Sequence, residues 1–349
     1  MNESSLSPLS ERVTAPTDLR RPADGDGISW RASTIDDVPA IHDCVKQEAA
    51  IDHPHYTPSE EEISEDFEVS HVDPTVDTIL GVDADGRVIA WGVSFATATA
   101  DTIKRVILSG GVRPSHRGRG IGRQLLEWLD GRGLQHLAAS NDRLPGWIMV
   151  YIDPDRQSDA AHLFERRGYR LARYFLELRR DLTAPIESRE PKGDLRIEVY
   201  RPELSEATRL ASNDAFRDHW GSQPQNQEVW QKHRGVSVSR NDLSFVAIGT
   251  NAAGEEEVAG YVITVVQPDD FEGQGFSSSY VELVGTRREW RGRGIAPALL
   301  ARVLEASKAD GLDKVVLDVD AENPTGALGL YTALGFEESN RTVSYVREF

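Results

Sequence analysis

The sequence predicts an α/β protein made of two tandem copies of one mixed-sheet unit. Three observations predict it. The heptads HRGRGIG (His116–Gly122) and WRGRGIA (Trp290–Ala296) are nearly identical and stand 174 positions apart, counted from Arg117 to Arg291. Each heptad closes a strand-like run and opens an apolar run of helical period. The segments around them, 28–181 and 195–349, present the same order of elements, which a duplicated domain explains and a chance heptad does not.

The elements follow in chain order. Residues 1–27 are rich in Ser, Pro, Asp and Gly and read as a disordered tail. Each segment then opens with a short strand, ISWRAS or LRIEVYRP, followed by a helical pattern, TIDDVPAIHDCVKQEA or ELSEATRLASNDAFRDHW. A hairpin follows. In the first copy Asp85-Gly86 marks its turn; in the second it spans SFVAIGTNAAGEEEVAGYVITVVQP. Next come a strand, the RGRG loop and a helix (RQLLEWLDGRG; APALLARVLEASKADG). A buried strand (WIMVYID; KVVLDVD), a second helix (DAAHLFERRGY; TGALGLYTALGF) and closing strands complete each copy. Between the copies, the polar stretch 182–194 with its two prolines reads as a linker.

Composition bounds the function. A chain of 349 residues with 39% hydrophobic positions can bury more than one core. The 57 acidic against 39 basic side chains give a net charge of −18, which repels phosphate backbones and anionic membranes. Nucleic acid and membrane are therefore not expected partners; a cationic small molecule suits the field, although an acidic surface that keeps the protein soluble is the plainer reading. A single cysteine, Cys44, leaves no intrachain disulfide and no Cys-based zinc site. No apolar run approaches the ~18 residues that span a bilayer. The start of the chain carries no basic-then-apolar signal pattern, so a cytoplasmic location is expected. His53, His55 and Tyr56 stand beside carboxylates, but no second ligand pair at helical spacing supports a metal reading.

The repeated loop carries the chemistry. In the second copy, Gly292 and Gly294 remove side chains where the backbone turns into a helix, so that several N–H groups face one point beside the positive end of the helix dipole. Arg291 and Arg293 add positive charge. The first copy repeats this with Arg117, Gly118, Arg119, Gly120, Ile121 and Gly122. The pattern is a pyrophosphate cradle. A P-loop would need Gly-Lys-Ser/Thr, and a dinucleotide fingerprint would need its glycines in a βαβ unit; neither copy supplies them.

VRPSHRGRGIG (Val112–Gly122) and TRREWRGRGIA (Thr286–Ala296) resemble the acyl-CoA-binding signature of the GNAT superfamily of N-acyltransferases. NPTGALGLYTALGF (Asn323–Phe336) resembles the family's N-x-x-A-x-x-L-Y-x-x-x-G-F segment. The tandem arrangement is similar to that of actinobacterial double-domain acetyltransferases, the mycothiol synthase family among them. The resemblance implies two tandem GNAT folds with acetyl-CoA lying between two parting strands. It implies cofactor contacts from Val284, Gly285, Thr286, Arg291–Ala296 (with Ile295) and Asn323, and from Gly110, Gly111, Val112 and Arg117–Gly122. It makes Tyr331, four residues before Gly335, the acid for the leaving thiolate, although the same ring also suits a core face. Glu282, four residues before Thr286, is the base or a solvated strand glutamate. Tyr280 stands at the six-back position, where mycothiol synthases carry glutamate. Asn323 followed by Pro324 is also a good helix cap.

Substrate contacts are expected from Tyr280, Phe216, His219 and Trp220; the loop aromatics, Trp230 included, equally suit a role capping the core. In the first copy the same counting places Phe164 at the position of Tyr331, Arg156 at that of Asn323, and Leu108 and Val106 at those of Glu282 and Tyr280. Phenylalanine, leucine and valine neither donate nor accept a proton. The expectation is an acetyl-CoA-dependent N-acetyltransferase of a small-molecule amine, acting by direct attack on the thioester. The C-terminal domain is catalytic, and the N-terminal domain binds acetyl-CoA without turnover. A non-catalytic acyl-CoA-binding or regulatory protein is the alternative function, and acetylation of an amino-sugar thiol the alternative substrate. Monomer and homodimer both stay open.

Overall fold

A computed structural model describes residues 6–53, 56–152, 159–323 and 326–349. The chain forms two compact units, Met1–Arg173 with Val343–Phe349, and Tyr174–Thr342.

The first unit contains β1 (Ile28–Arg31), β2 (Thr78–Asp83), β3 (Val88–Ala96), β4 (Lys104–Val112) and β5 (Gly146–Ile152) in spatial order. All neighbours are antiparallel except β4 and β5, which run parallel from Lys104↔Gly146 to Ile107↔Met149 and then part. Residues 343–348 of the chain's last strand close the unit antiparallel to β5. The helix Ile121–Ala138 buries Leu125, Leu126, Trp128, Leu129 and Leu137 in a core that includes Val106, Leu108, Ile148 and Val150.

The second unit repeats the plan. It contains β6 (Arg170–Asp181, by its residues from 174), β7 (Leu195–Val199), β8 (Phe245–Thr250), β9 (Glu256–Val265), β10 (Ser278–Thr286) and β11 (Lys314–Asp320). The last strand, β12 (Glu337–Glu348), begins in this unit. The spatial order is β6-β11-β10-β9-β8-β7. The helix Ile295–Ala309 buries Leu299, Leu300, Val303 and Leu304 against Val281, Val315, Leu317 and Val319.

The compact units cut the chain differently from the contiguous halves 28–181 and 195–349. Strand β6, expected to close the first domain, pairs with β11 from Asp181↔Lys314 to Phe175↔Asp320. Its Leu176 and Leu178, with Leu182 just beyond, belong to the second core. The chain's final residues return to the first unit, where Val343 and Tyr345 are core and Arg347 bonds the buried Asp130 at 3.1 Å. The described part of the tail is also not disordered. Leu9 is fully buried, Val13 nearly so, and the Leu9 amide bonds the Asp142 carbonyl at 3.0 Å. A few apolar anchors in a polar stretch suffice to dock it. The linker is tied down as well: the Lys192 amide donates to the Arg293 carbonyl at 2.7 Å, and Glu190 pairs with Arg302 at 2.7 Å.

Candidate active site

The parallel pair β10 and β11 holds register from Ser278↔Lys314 to Val281↔Leu317 and stops, although both strands continue. A fork opens there. Against β9, β10 carries a bulge between Val281 and Leu283, which makes Glu282 the extra residue. Beyond the fork, the backbone groups of Val284, Gly285 and Thr286 on the β11 side have no strand partner among the described residues. Strand β10 then turns through Arg288–Trp290 into the helix at Ile295.

The loop has the cradle geometry that the sequence implies. Gly292 and Gly294 take φ of 77° and 74°, and Gly118 and Gly120 take 77° and 82°; this left-handed backbone favours glycine. Both helix N-caps are glycines, so no side chain caps the first turn. The orphan N–H groups of Ile295, Ala296 and, in the first unit, Ile121 and Gly122 are left for an anion. A Cβ at Gly292 or Gly118 would meet nothing within 4 Å. The four arginines divide into two kinds. The leading ones are spent internally: Arg117 on Asp52 at 2.8 Å and the Val112 carbonyl at 3.0 Å, Arg291 on the Ala215 carbonyl at 3.0 Å and Asp218 at 3.3 Å. The second ones are exposed, Arg119 outright and Arg293 stacked on Trp290 with 4.5 Å to the ring centroid. An uncapped helix start, open glycines and an exposed arginine fit a pyrophosphate.

Tyr331 sits on the helix Ala327–Ala333, 6% exposed, with its ring edge-on to Phe336 at 5.9 Å. Burial raises its phenol to about 12, so it is protonated at neutral pH. Phe164 of the first unit makes the matching edge-on contact with Tyr169 at 5.7 Å.

Family models match twice: "Acetyltransferase (GNAT) family" over residues 206–336 and "Acetyltransferase (GNAT) domain" over 76–171. The chain belongs to the GNAT acetyltransferase family. It is 32% identical over 245 residues to a mycothiol acetyltransferase of Thermobispora bispora, covering 68% of this chain and 74% of that protein. It is 30% identical over 245 residues to one of Frankia casuarinae, covering 67% of this chain and 66% of that protein. A GCN5-related N-acetyltransferase structure from Sphaerobacter thermophilus superposes with TM-score 0.66 at 29% identity, covering 93% of this chain and 97% of that one. A tandem GNAT protein from the clavulanic acid biosynthesis pathway shares the fold, with TM-score 0.62 at 16% identity over 92% of this chain and 98% of that one. The molecule is thus an acetyltransferase with two GNAT domains.

Around this GNAT fork, Glu282 is not a free carboxylate. Both its oxygens accept from Nη2 of Arg234, a buried side chain on the helix Gln227–Gly235, at 2.5 Å each. Tyr280 donates its hydroxyl to Asp318 at 2.8 Å. His219 and Asn323, assigned to different roles by sequence, lie together with Nε2 and Nδ2 3.3 Å apart; Phe216 stacks on His219 at 4.4 Å, and burial lowers the imidazole's pKa. Trp220 is half-buried. Trp230 is core, its indole N–H donating to Ser205 at 3.0 Å. Arg156, Pro324 and His55 lie outside the described residues.

Strand register corrects one sequence count. Strand β4 pairs with β3 without a bulge, so its residue opposite Phe95 is Ile107, the counterpart of Tyr280 opposite Val265. Leu108 and Val106 instead face the helix Ile121–Ala138, and Glu282 has no counterpart. Composition at fixed spacing cannot reveal an inserted bulge residue. Sequence reasoning also missed Arg234 and Asp318. The signal for Asp318 was present: the core strand VVLDVD interrupts its apolar run with alternate aspartates, which puts both carboxylates on one face.

Proposed function

We propose that the protein is an acetyl-CoA-dependent N-acetyltransferase of a small-molecule amine and that the unit Tyr174–Thr342 performs the reaction. The observation that carries this is an asymmetry. Both units hold a cradle, whereas Tyr331, Tyr280, Glu282 and Asp318 belong to the second unit, and the matched positions of the first hold Phe164, Ile107, no residue, and Tyr151.

Acetyl-CoA supplies an acyl group activated as a thioester. The orphan amides at Ile295 and Ala296, with Arg293, hold its pyrophosphate, and the unpaired edge of β10 at Val284–Thr286 offers partners to its acyl arm. Tyr331, kept protonated, gives its proton to the departing thiolate. Glu282 accepts on both oxygens from Arg234, and in that pairing it orients the site.

Thiol release from acetyl-CoA over an amine panel tests the proposal. Because the relatives are mycothiol acetyltransferases, an amino-sugar thiol belongs in that panel. Gly294→Asp should abolish turnover, Gly120→Asp should leave most of it, and Tyr331→Phe should lower kcat by roughly 10²–10⁴-fold. No turnover with any amine would favour an acyl-CoA-binding regulator, and the reverse glycine result would move the chemistry to the first unit.

A further inference from the structure

We propose that Asp318, held by Tyr280 at the mouth of the fork, is the carboxylate that takes the proton from the acceptor's ammonium. This deepens the N-acetyltransferase reading and rests on it.

The placement is set by the strands. Asp318 is the first residue of β11 beyond the last pair with β10, Val281↔Leu317. Its neighbours Leu317 and Val319 point into the core beneath the helix Ile295–Ala309, so Asp318 faces the opposite side. The Tyr280–Asp318 hydrogen bond of 2.8 Å spans the two strands where they begin to part. Tyr280 reaches across from β10, and its phenol fixes the direction of the carboxylate carried on the adjacent strand.

The competing carboxylates are engaged. Glu282 accepts on both oxygens from Arg234. Glu177, the β6 partner of Asp318, accepts from Arg179 at 2.8 Å and Ser339 at 2.6 Å. A second observation marks the region as a ligand site: Arg234 is 8% exposed and leaves Nε and Nη1 without partners among the described residues.

Among the described residues, the charged and titratable groups set against Asp318 are Tyr280 from β10, Glu177 from β6 with the Arg179 that bonds it, and Asp320 two residues along β11. Asp318 is exposed to solvent at its tip, with the fork strands packed around its base. Desolvation raises its carboxyl to about 6, opposed by the Tyr280 hydrogen bond and reinforced by Glu177. Such a group is ionised at neutral pH and basic enough to accept a proton.

The step balances. An ammonium proton passes to Asp318, and the freed amine nitrogen bonds to the thioester carbon. The C–S bond breaks, and its electron pair leaves as a thiolate that takes the Tyr331 proton. The amide nitrogen then loses its second proton to water and both side chains reset, for a net release of one proton.

The test is the pH profile of kcat/KM in the full chain with acetyl-CoA and four acceptors: glucosamine, cysteine, spermidine and tyramine. Wild type should show an acidic limb near pH 6. Asp318→Asn should erase that limb and lose roughly 10²–10⁴-fold at pH 7. Tyr280→Phe should keep the limb and move it to higher pH, because the hydrogen bond that lowers the carboxyl is gone; this readout stands even if Asp318→Asn fails to fold. Glu282→Gln should leave the limb in place. An active wild type with Asp318→Asn within threefold of it, or a limb unmoved in Tyr280→Phe, overturns this assignment alone. A wild type that acetylates none of the four removes it together with the N-acetyltransferase reading it rests on.

Discussion

Glu48 shows how one side chain separates the two GNAT units. It lies 7% exposed on the helix Val38–Asp52, against the backbone of β4. A Cβ at Gly111 would come within 1.8 Å of its carboxylate, so any larger residue there has to displace the Glu48 side chain. In the second unit the matching Gly285 faces the Tyr261 hydroxyl, which donates to Ser212 at 2.9 Å. Burial raises Glu48 to about 7 from the ordinary 4.5, against the opposing pull of the Cys44 hydrogen bond and Arg117. The folded state therefore holds a proton up to about pH 7 that the unfolded chain releases near 4.5. Folding binds protons across that window, and stability falls as pH rises through it, by about 3 kcal/mol in all. Glu48→Gln should accordingly raise the thermal midpoint at pH 8 and change it little at pH 4.5. Equal shifts at both pH values would show that the carboxylate ionises without cost.

At the scale of elements, the helix that carries Tyr331 is held from its C-terminal end. It stops at Leu334, and Gly335 follows at φ 83°. The buried Arg180 of β6 donates to the Leu334 carbonyl at 2.8 Å and to the Pro185 carbonyl at 2.7 Å. Its Nε occupies the space 2.8 Å from where a Gly335 Cβ would be. Gly335→Ala thus meets both a left-handed backbone, costing about 1–2 kcal/mol, and a displaced arginine. Gly311→Ala is the control, since Gly311 has φ 86° with open space around it. Gly335→Ala should destabilise more than Gly311→Ala in urea unfolding and should also lower kcat, because the Tyr331 helix shifts. Equal destabilisation would leave Arg180 no role in placing that helix.

For the whole molecule, the units predict which fragments fold. Residues 195–349 carry a full set of the motifs, yet they lack β6 with Leu176, Leu178 and Arg180, and Leu182 just beyond it. Burying a leucine is worth about 1.5–3 kcal/mol, and three such losses approach the 5–15 kcal/mol that stabilises a whole domain. The fragment 174–342 should give a cooperative unfolding transition and a compact elution volume, and the fragment 195–349 should give neither. A cooperative 195–349 would make β6 dispensable.

The local pieces were legible in the chain: the duplication, the strand–loop–helix arrangement at each RGRG heptad, and the Tyr331 segment. These depend on periodicity, turn glycines and helix starts, all of which act over a few neighbouring residues. Asp318 went unread, although the alternation in VVLDVD carried its signal. The tertiary structure decided what depends on pairing between distant strands. It assigned β6 to β11 and residues 343–348 to β5, where alternating apolar faces find complementary cores that no local pattern specifies. It placed a bulge in β10 and none in β4, which shifts every face by one residue and undoes counting along the chain. It also joined Arg234 to Glu282 and Tyr280 to Asp318, because charge pairing follows proximity in space, and proximity across strands is set by register.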